Sequence, residues 1–241
     1  IIGGDITYEC LGPGPGNSRN YRFKMKVYRD CLGGGAEFDN PAQFAIYRGT
    51  YNVNVRDTIF SVLNPMISRL IPDTPNCALN IPNVCVEQAT YTFTINLAVR
   101  NQSYYIVYQR CCRNESITNI LNPGDVGATY MIEITPDAQM LCNDSPTFDN
   151  FPPIIICNNF PIEFDHGATD PEGDQLVYTF CTPFAGGGNI TQGNALFSCV
   201  GAVPTPPCAP PFDNVPFNVP TYTPGNPMGG NPQININSTT G

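Results

Sequence analysis

This sequence contains no tryptophan and only one histidine, and charged residues make up only 13% of its 241 residues. No apolar run approaches the roughly 18 residues that a membrane-spanning helix needs. Lysine and arginine together number 11 against 20 aspartates and glutamates, so the net charge is -9. Because such a chain repels phosphate backbones and anionic lipid surfaces, we predict no nucleic-acid partner. Because it has no long apolar run, we predict no membrane span in this segment.

The abundant residues favour β-structure interrupted by many turns. The chain has 25 prolines and 22 glycines, which disfavours long helices. Tyr21, Phe23, Met25 and Val27 alternate with polar residues, as on a strand with one buried face. We therefore predict an all-β protein with long Pro/Gly-rich loops. Strands are predicted near residues 6–10, 21–28, 44–46, 53–59, 84–97, 103–111 and 129–135, and again near 154–157, 161–164, 175–181 and 233–236.

Eleven cysteines with a single histidine favour disulfides over zinc sites of mixed ligands. Disulfides persist in oxidising compartments, and the sequence opens with Ile-Ile-Gly-Gly rather than methionine, as after removal of a secretion signal. We expect a secreted protein that is extracellular or on the cell surface. Because eleven is odd, at least one thiol is free or pairs between chains.

Spacing along the chain predicts three disulfide pairs, namely Cys77–Cys85, Cys157–Cys181 and Cys199–Cys208. Cys111 and Cys112 are adjacent, and neighbouring residues on a strand point to opposite faces. We therefore expect them to join two different layers rather than each other. Cys10 and Cys31 are the available partners in the same region, and the sequence leaves open which pairs with which.

An acidic turn is the strongest candidate binding site. Residues 164–180 read FDHGATDPEGDQLVYTF and place carboxylates at every second position, at Asp170, Glu172 and Asp174, around one glycine. Calcium is bound by several oxygen ligands that converge about 2.3–2.6 Å from the ion. The turn therefore predicts a calcium site, and the competing interpretation is a solvated acidic turn without metal.

The same turn resembles the A-x-D-P-[DE]-G-D-x-L-x-Y turn of cadherin-like and related immunoglobulin-like modules. Residues 142–148, CNDSPTF, are similar to the N-D-x-x-P-x-F linker that precedes such modules. The resemblance implies that Asp144 ligates calcium together with the three turn carboxylates at a domain junction. It also implies two disulfide-bonded β-sandwich (immunoglobulin-like) domains, at residues 1–141 and 142–241. The last residues, P-x-I-x-I-x-S-T-T-G, look like the middle of such a repeat, so we expect the second domain to be incomplete at its C-terminus.

The chain also resembles a module of secreted surface proteins of the Bacteroidota, many of which carry gliding-motility-associated or type IX secretion sorting domains. The resemblance rests on GGDITYEC (3–10), VYRDC (27–31), NVCVEQATY (83–91), YQRCCRNESITNI (108–120) and FDHGATDPEGDQLVYTFC (164–181). It implies that the module is exported and forms part of a long surface or filamentous protein. In such bacteria O-glycans are attached at D-[ST]-aliphatic patterns, which makes Thr58 a glycosylation candidate.

Catalysis is not expected, because the only histidine, His166, lies in the acidic turn and the cysteines are expected to be oxidised. We predict a non-enzymatic structural or adhesive module of a long surface protein, rigidified by disulfides and junction calcium. One alternative is a self-assembling filament subunit that donates its N-terminal strand, residues 1–5, to the next chain. Another is a carbohydrate-binding protein that stacks sugars on Tyr91 with Phe93 or Tyr104 with Tyr105, although such stripes are more often sheet core. The expected partners are other surface proteins, glycans or copies of itself.

Overall fold

A computed structural model describes residues 1–32, 35–72, 75, 83–157, 160–188, 201–230 and 233–241. Nearly all of its regular structure is antiparallel β-sheet, which confirms the predicted all-β class. The strands are β1 (Gly3–Pro13), β2 (Ser18–Asp30), β3 (Ala42–Gly49), β4 (Asn54–Val62), β5 (Met66–Leu70), β6 (Val86–Ala98), β7 (Ser103–Arg110), β8 (Ala128–Ile134), β9 (Thr147–Phe148) and β10 (Ala168–Thr169). A 3-10 turn (Pro123–Asp125) precedes β8, and one short helix, α1 (Pro136–Leu141), follows it.

Two four-stranded sheets form a sandwich from the first half of the chain. Their strand orders are β1-β2-β6-β5 and β4-β3-β7-β8, and every neighbouring pair is antiparallel. The alternation in β2 works as predicted, because Tyr21, Phe23 and Met25 are fully buried while Arg22 and Lys24 are exposed.

Aromatic side chains fill the space between the sheets. Phe44 from one sheet contacts Phe93 from the other with ring centroids 4.7 Å apart, and it also contacts Phe60 and Tyr108. Tyr91 is fully buried in the same core. The aromatic stripes along β6 and β7 therefore belong mainly to the packed interior rather than to a sugar-binding face.

Part of the second half covers the outer face of the β4-β3-β7-β8 sheet. That face presents a small apolar cluster that includes Tyr47 and Tyr105, against which Phe212 packs. The Tyr47 hydroxyl donates to the carbonyl of Pro207, and the Tyr51 hydroxyl accepts a hydrogen bond from the Phe212 amide at 3.1 Å. The Pro-rich segment 201–212 is thus fixed to the sandwich by both apolar and polar contacts.

Strands predicted in the second half do not form at residues 154–157, 161–164, 175–181 or 233–236, so these predictions are wrong. In the described part of this half, the one strand ladder is β9 with β10, and the other pairings are isolated bridges such as Phe184 with Asn214 and Gly188 with Gly201. Leu176, Tyr178 and Phe180 do alternate in burial, but they lie beside no continuous ladder. An extended apolar segment becomes a strand only where a neighbour satisfies its backbone groups. The domain division at residue 142 stays a prediction.

The cysteine pairing differs from the predicted one. The disulfides are Cys10–Cys142, Cys31–Cys85 and Cys111–Cys112. The predicted Cys77–Cys85 pair is wrong because β2 and β6 are neighbours, and their ends bring Cys31 to Cys85. Cys111 and Cys112 do bond to each other, since β7 ends at Arg110 and strand geometry does not apply to them.

The remaining cysteines divide into three cases. Cys157 and Cys208 are disulfide-bonded. Cys181 is free and exposed, so the predicted Cys157–Cys181 pair is wrong. Cys77 and Cys199 lie outside the described residues. The predicted Cys199–Cys208 pair is therefore not tested. Among the described residues, no helix has the length and apolar character needed to cross a membrane.

Candidate functional site

The linker that follows α1 lies along the free edge of β1. Thr135 caps the start of α1 by accepting a hydrogen bond from the Ala138 amide, and Cys142 ends the helix in the left-handed region (φ 56°). The Cys10–Cys142 disulfide then fixes this point to β1. The chain therefore leaves the sandwich at a position set covalently.

Hydrogen bonds extend this contact beyond the disulfide. The Cys10 amide donates to Asp144 Oδ1 at 2.6 Å, and the Tyr8 amide donates to Ser145 Oγ at 2.8 Å. The Ser145 amide in turn donates to the Tyr8 carbonyl at 2.9 Å. Backbone groups on the edge of β1 that would otherwise face solvent are thus bonded to the linker.

The acidic turn is organised around one carboxylate. Asp170 Oδ1 accepts hydrogen bonds from the amides of Glu172 (3.1 Å) and Asp174 (3.0 Å), and the Asp170 carbonyl accepts from the Gly173 amide (3.2 Å). Gly173 has φ 81°, a conformation that a residue with a Cβ adopts at a cost. The single glycine of the motif therefore closes the turn.

Linker and turn lie against each other, as the sequence resemblance implied. Asn143 Nδ2 donates to Asp174 Oδ2 at 2.7 Å, and the Asp144 amide donates to Glu172 Oε2 at 3.2 Å. The β9–β10 pair, with Ala168 opposite Phe148, continues the contact. All four predicted calcium ligands, Asp144, Asp170, Glu172 and Asp174, are therefore at one junction.

The carboxylates at this junction act as acceptors for N–H groups rather than as a cation cage. Each of the four accepts at least one hydrogen bond from a backbone amide or from the Asn143 side chain. Among the described residues, no three histidine, cysteine, aspartate or glutamate side chains are grouped so that they could hold a metal ion. In this arrangement the residues do not fit the convergent oxygen shell that calcium requires. Calcium binding stays a prediction.

A groove of about 640 Å³ lies next to this junction, between the outer face of the β1-β2-β6-β5 sheet and residues 147–154. Aromatic rings form much of its wall: Tyr28 and Phe151 are 5.1 Å apart between centroids, and His166 stacks on Phe148 at 4.4 Å. Phe148 and Phe151 are about half exposed. His166 thus forms part of an aromatic wall, with the rings of Phe148 and Phe164 as its neighbours.

Polar groups line the floor of this groove. Asp5 accepts a hydrogen bond from the Tyr28 hydroxyl at 3.3 Å and lies 3.9 Å from the Lys26 ammonium group. Burial raises the pKa of the Asp5 carboxyl, and Lys26 and Tyr28 partly oppose this shift. Rings beside hydrogen-bonding groups are suited to a ligand with both apolar and hydroxyl surfaces.

Sequence reasoning missed this groove, because its walls come from residues far apart in the chain. The sequence places Tyr28 on a strand and indicates no further role for it, and Phe151 follows the linker in a proline-rich stretch with no motif of its own. Thr58, the glycosylation candidate, is exposed on β4, and its modification stays a prediction. No protein-family model matches the chain, and comparisons with curated proteins and with solved structures give no match.

Proposed function

We propose that this chain is a non-enzymatic structural or adhesive module of a long, secreted surface protein, rigidified by disulfides. The observation that carries the proposal is the Cys10–Cys142 disulfide, which closes 132 residues of chain and fixes the exit of the sandwich to its first strand. A load applied along the chain after residue 142 would reach β1 directly. Cys31–Cys85 joins two further strands, and disulfides of this kind fit an oxidising compartment.

The location is tested by labelling intact producing cells with a membrane-impermeant biotin reagent, then comparing the protein's migration with and without reductant. We expect labelling of the intact cells and slower migration after reduction, because the reduced chain is less compact. A protein that is labelled only after lysis, or that carries only free thiols when isolated, would contradict the proposal.

Rigidity of the junction is tested separately with the double variant Cys10→Ser/Cys142→Ser. We expect faster proteolytic cleavage in the linker, residues 143–150, with the sandwich itself still folded. The matched control is Cys181→Ser, which removes a free thiol. Equal cleavage of the double variant and the control would show that the disulfide does not stiffen this junction.

Calcium binding at the junction, the other part of the predicted mechanism, is tested by comparing the melting temperature in chelator with that in excess calcium. If calcium binds, the melting temperature falls in chelator, and Asp174→Asn abolishes the difference. If hydrogen bonds alone hold the junction, chelator has no effect on the wild type, and Asp174→Asn lowers the melting temperature equally in both conditions, since it weakens the bond from Asn143.

A carbohydrate-binding role is the second candidate, and the groove between Tyr28 and Phe151 favours it. Sugar rings stack on aromatic faces while their hydroxyls bond to groups such as Asp5 and Lys26. We expect retention of specific glycans on an array, lost in Phe151→Ala and kept in Phe160→Ala, an exposed phenylalanine outside the groove. An array without retained glycans would remove this candidate.

A further inference from the structure

One long edge of the sandwich is only partly paired. β5 pairs with β6 from Val86 to Thr90, and the pairing ends where Met66, the first residue of β5, lies opposite Thr90. Beyond Thr90, β6 continues to Ala98 with β2 on one side. In the part of the chain that the structure describes, no ladder occupies the other side of residues 91–97. Backbone N–H and C=O groups along this edge are therefore available to a further strand.

The core reaches solvent at this edge. Tyr91 and Leu97 are buried (0% and 4% exposed), whereas Phe93 and Ile95, which face the same side of the sheet between them, are only partly buried. A slot of about 590 Å³ opens between β6 and β4. Phe60 and Phe93 form its wall, with ring centroids 4.9 Å apart. An added strand would cover apolar surface as well as backbone groups.

Two other edges of the sandwich are protected, namely those of β1 and β4. The linker covers β1 through the bonds of Tyr8 and Cys10. In β4, Arg56 and Asp57 lie where the register with β3 shifts. Charged side chains and bulges both disfavour the pairing of an edge strand with another chain. Residues 91–97 read YTFTINL, with no charge, no proline and high β-propensity. Among these edges, β6 is the one suited to pairing.

We propose that residues 91–97 of β6 pair antiparallel with the same residues of a second copy of this chain, around a two-fold axis at Thr94. This register places Thr94 opposite Thr94, and it places Phe93 opposite Ile95 of the second copy. Thr–Thr and aromatic–β-branched pairs are among the favourable cross-strand pairs. The segment is therefore complementary to itself, as an isologous interface requires. The β1-β2-β6-β5 sheets of the two copies then join into one continuous sheet across the dimer.

Charge does not prevent this pairing. Arg22 and Lys24 lie one strand inward from the edge, opposite Thr94 and Thr92. Three strand spacings, about 14 Å, then separate the two copies of Arg22, and the two copies of Lys24 are farther apart because they are also offset along the strands. Both distances exceed the Debye length of about 8 Å at physiological salt. The net charge of -9 on each chain opposes association when salt is low. Association should therefore strengthen as sodium chloride is added.

Sedimentation velocity over a wide range of protein concentration tests the pairing. We expect a monomer–dimer equilibrium in the wild type. Thr94→Lys places two like charges opposite each other and should raise the dissociation constant at least tenfold, as should Thr94→Glu. An equimolar mixture of the two variants pairs lysine with glutamate and should dimerise again, which also shows that both variants are folded. Thr118→Lys, an exposed threonine far from this edge in sequence, is the matched control.

Amide hydrogen exchange locates the contact. We expect residues 92–96 to become more protected as protein concentration rises, while the β4 edge does not change. A wild type that stays monomeric at the highest concentration and at high salt would overturn the proposal, as would dimers equally stable in Thr94→Lys. Dimers whose protection maps elsewhere would overturn it as well. These outcomes leave the proposed surface role untouched, because that role is tested by location and by the linker disulfide.

Discussion

The two halves of this chain carry similar apolar alternation, but only the first half turns it into sheets. β6 pairs with β2 over its whole length of 13 residues. In the described part of the second half, the alternating residues 176–180 make one backbone bond to a distant segment, from the Tyr178 amide to the carbonyl of Ser238 in a turn. Alternation therefore shows which side chains face inward. It does not show that a neighbouring strand exists.

The second half is held by contacts to the first instead. Residues 201–212 lie on the outer face of one sheet, through Tyr47 and Phe212. A smaller cluster around Ile120 and Val126 is completed by Ala185 and Val215 from the second half. The first half is thus held mainly by strand pairing within it, and the second half mainly by side-chain and backbone contacts to the first.

The largest effect is expected inside the first half, where Arg110 forms a buried ion pair with Asp39 at 2.8 Å. Tyr108 donates to the same carboxylate at 2.6 Å. Asp39→Ala leaves the arginine buried without its partner, which costs about 3–5 kcal/mol. Urea unfolding measures the loss. Glu9→Ala, which breaks an exposed pair with Arg22, should cost at most about 1 kcal/mol, and equal losses in the two variants would contradict the expectation.

The covalent tie between the halves comes next. Cys10→Ser/Cys142→Ser removes a disulfide that closes 132 residues of sequence, and such a loss costs about 2–5 kcal/mol. Cys181→Ser removes only an exposed free thiol and should change the free energy of unfolding by less than about 0.5 kcal/mol. Denaturant unfolding of both variants checks this. A double variant as stable as the control would mean that the noncovalent contacts of the linker suffice.

A single hydroxyl tests whether the second half is attached as described. Tyr47→Phe removes the bond to the Pro207 carbonyl and should cost about 1 kcal/mol, with faster proteolysis within residues 201–212. Tyr105→Phe is the control, because the Tyr105 hydroxyl bonds to Glu133 within the first half. We expect a similar small loss of stability there, with no change in cleavage. Faster cleavage in both variants would show that the segment does not depend on the Tyr47 bond.

The smallest effect concerns Asp5, which lies where residues 147–154 of the second half approach the sheet. Burial raises its pKa in the folded state, so its contribution to stability is present below its unfolded pKa of about 4 and is lost as pH rises through the raised value. Asp5→Asn should therefore melt at a higher temperature than wild type at neutral pH and at the same temperature in strong acid. A wild type that is the more stable at neutral pH would contradict this sign.

Several features could be predicted from the residues alone. The strands of the first half and the buried face of β2 follow from alternation, and the contact between linker and acidic turn follows from the sequence motifs. The disulfides could not be predicted. Cys31 meets Cys85 only because β2 and β6 become neighbours, with Asp30 opposite Val86. The donor role of residues 1–5 stays a prediction, and in the single chain Gly3 and Asp5 pair with β2.

Three features follow from the residues alone, because they depend on side-chain chemistry and on a period of two: the all-β class, the inward faces of the main strands and the acidity of the junction. Three others arise only when the chain folds: which cysteines meet, which edges are covered and where the aromatic groove opens. Each of these depends on which segments become neighbours. That choice is made by burying many side chains at once, and no local pattern of residues records it.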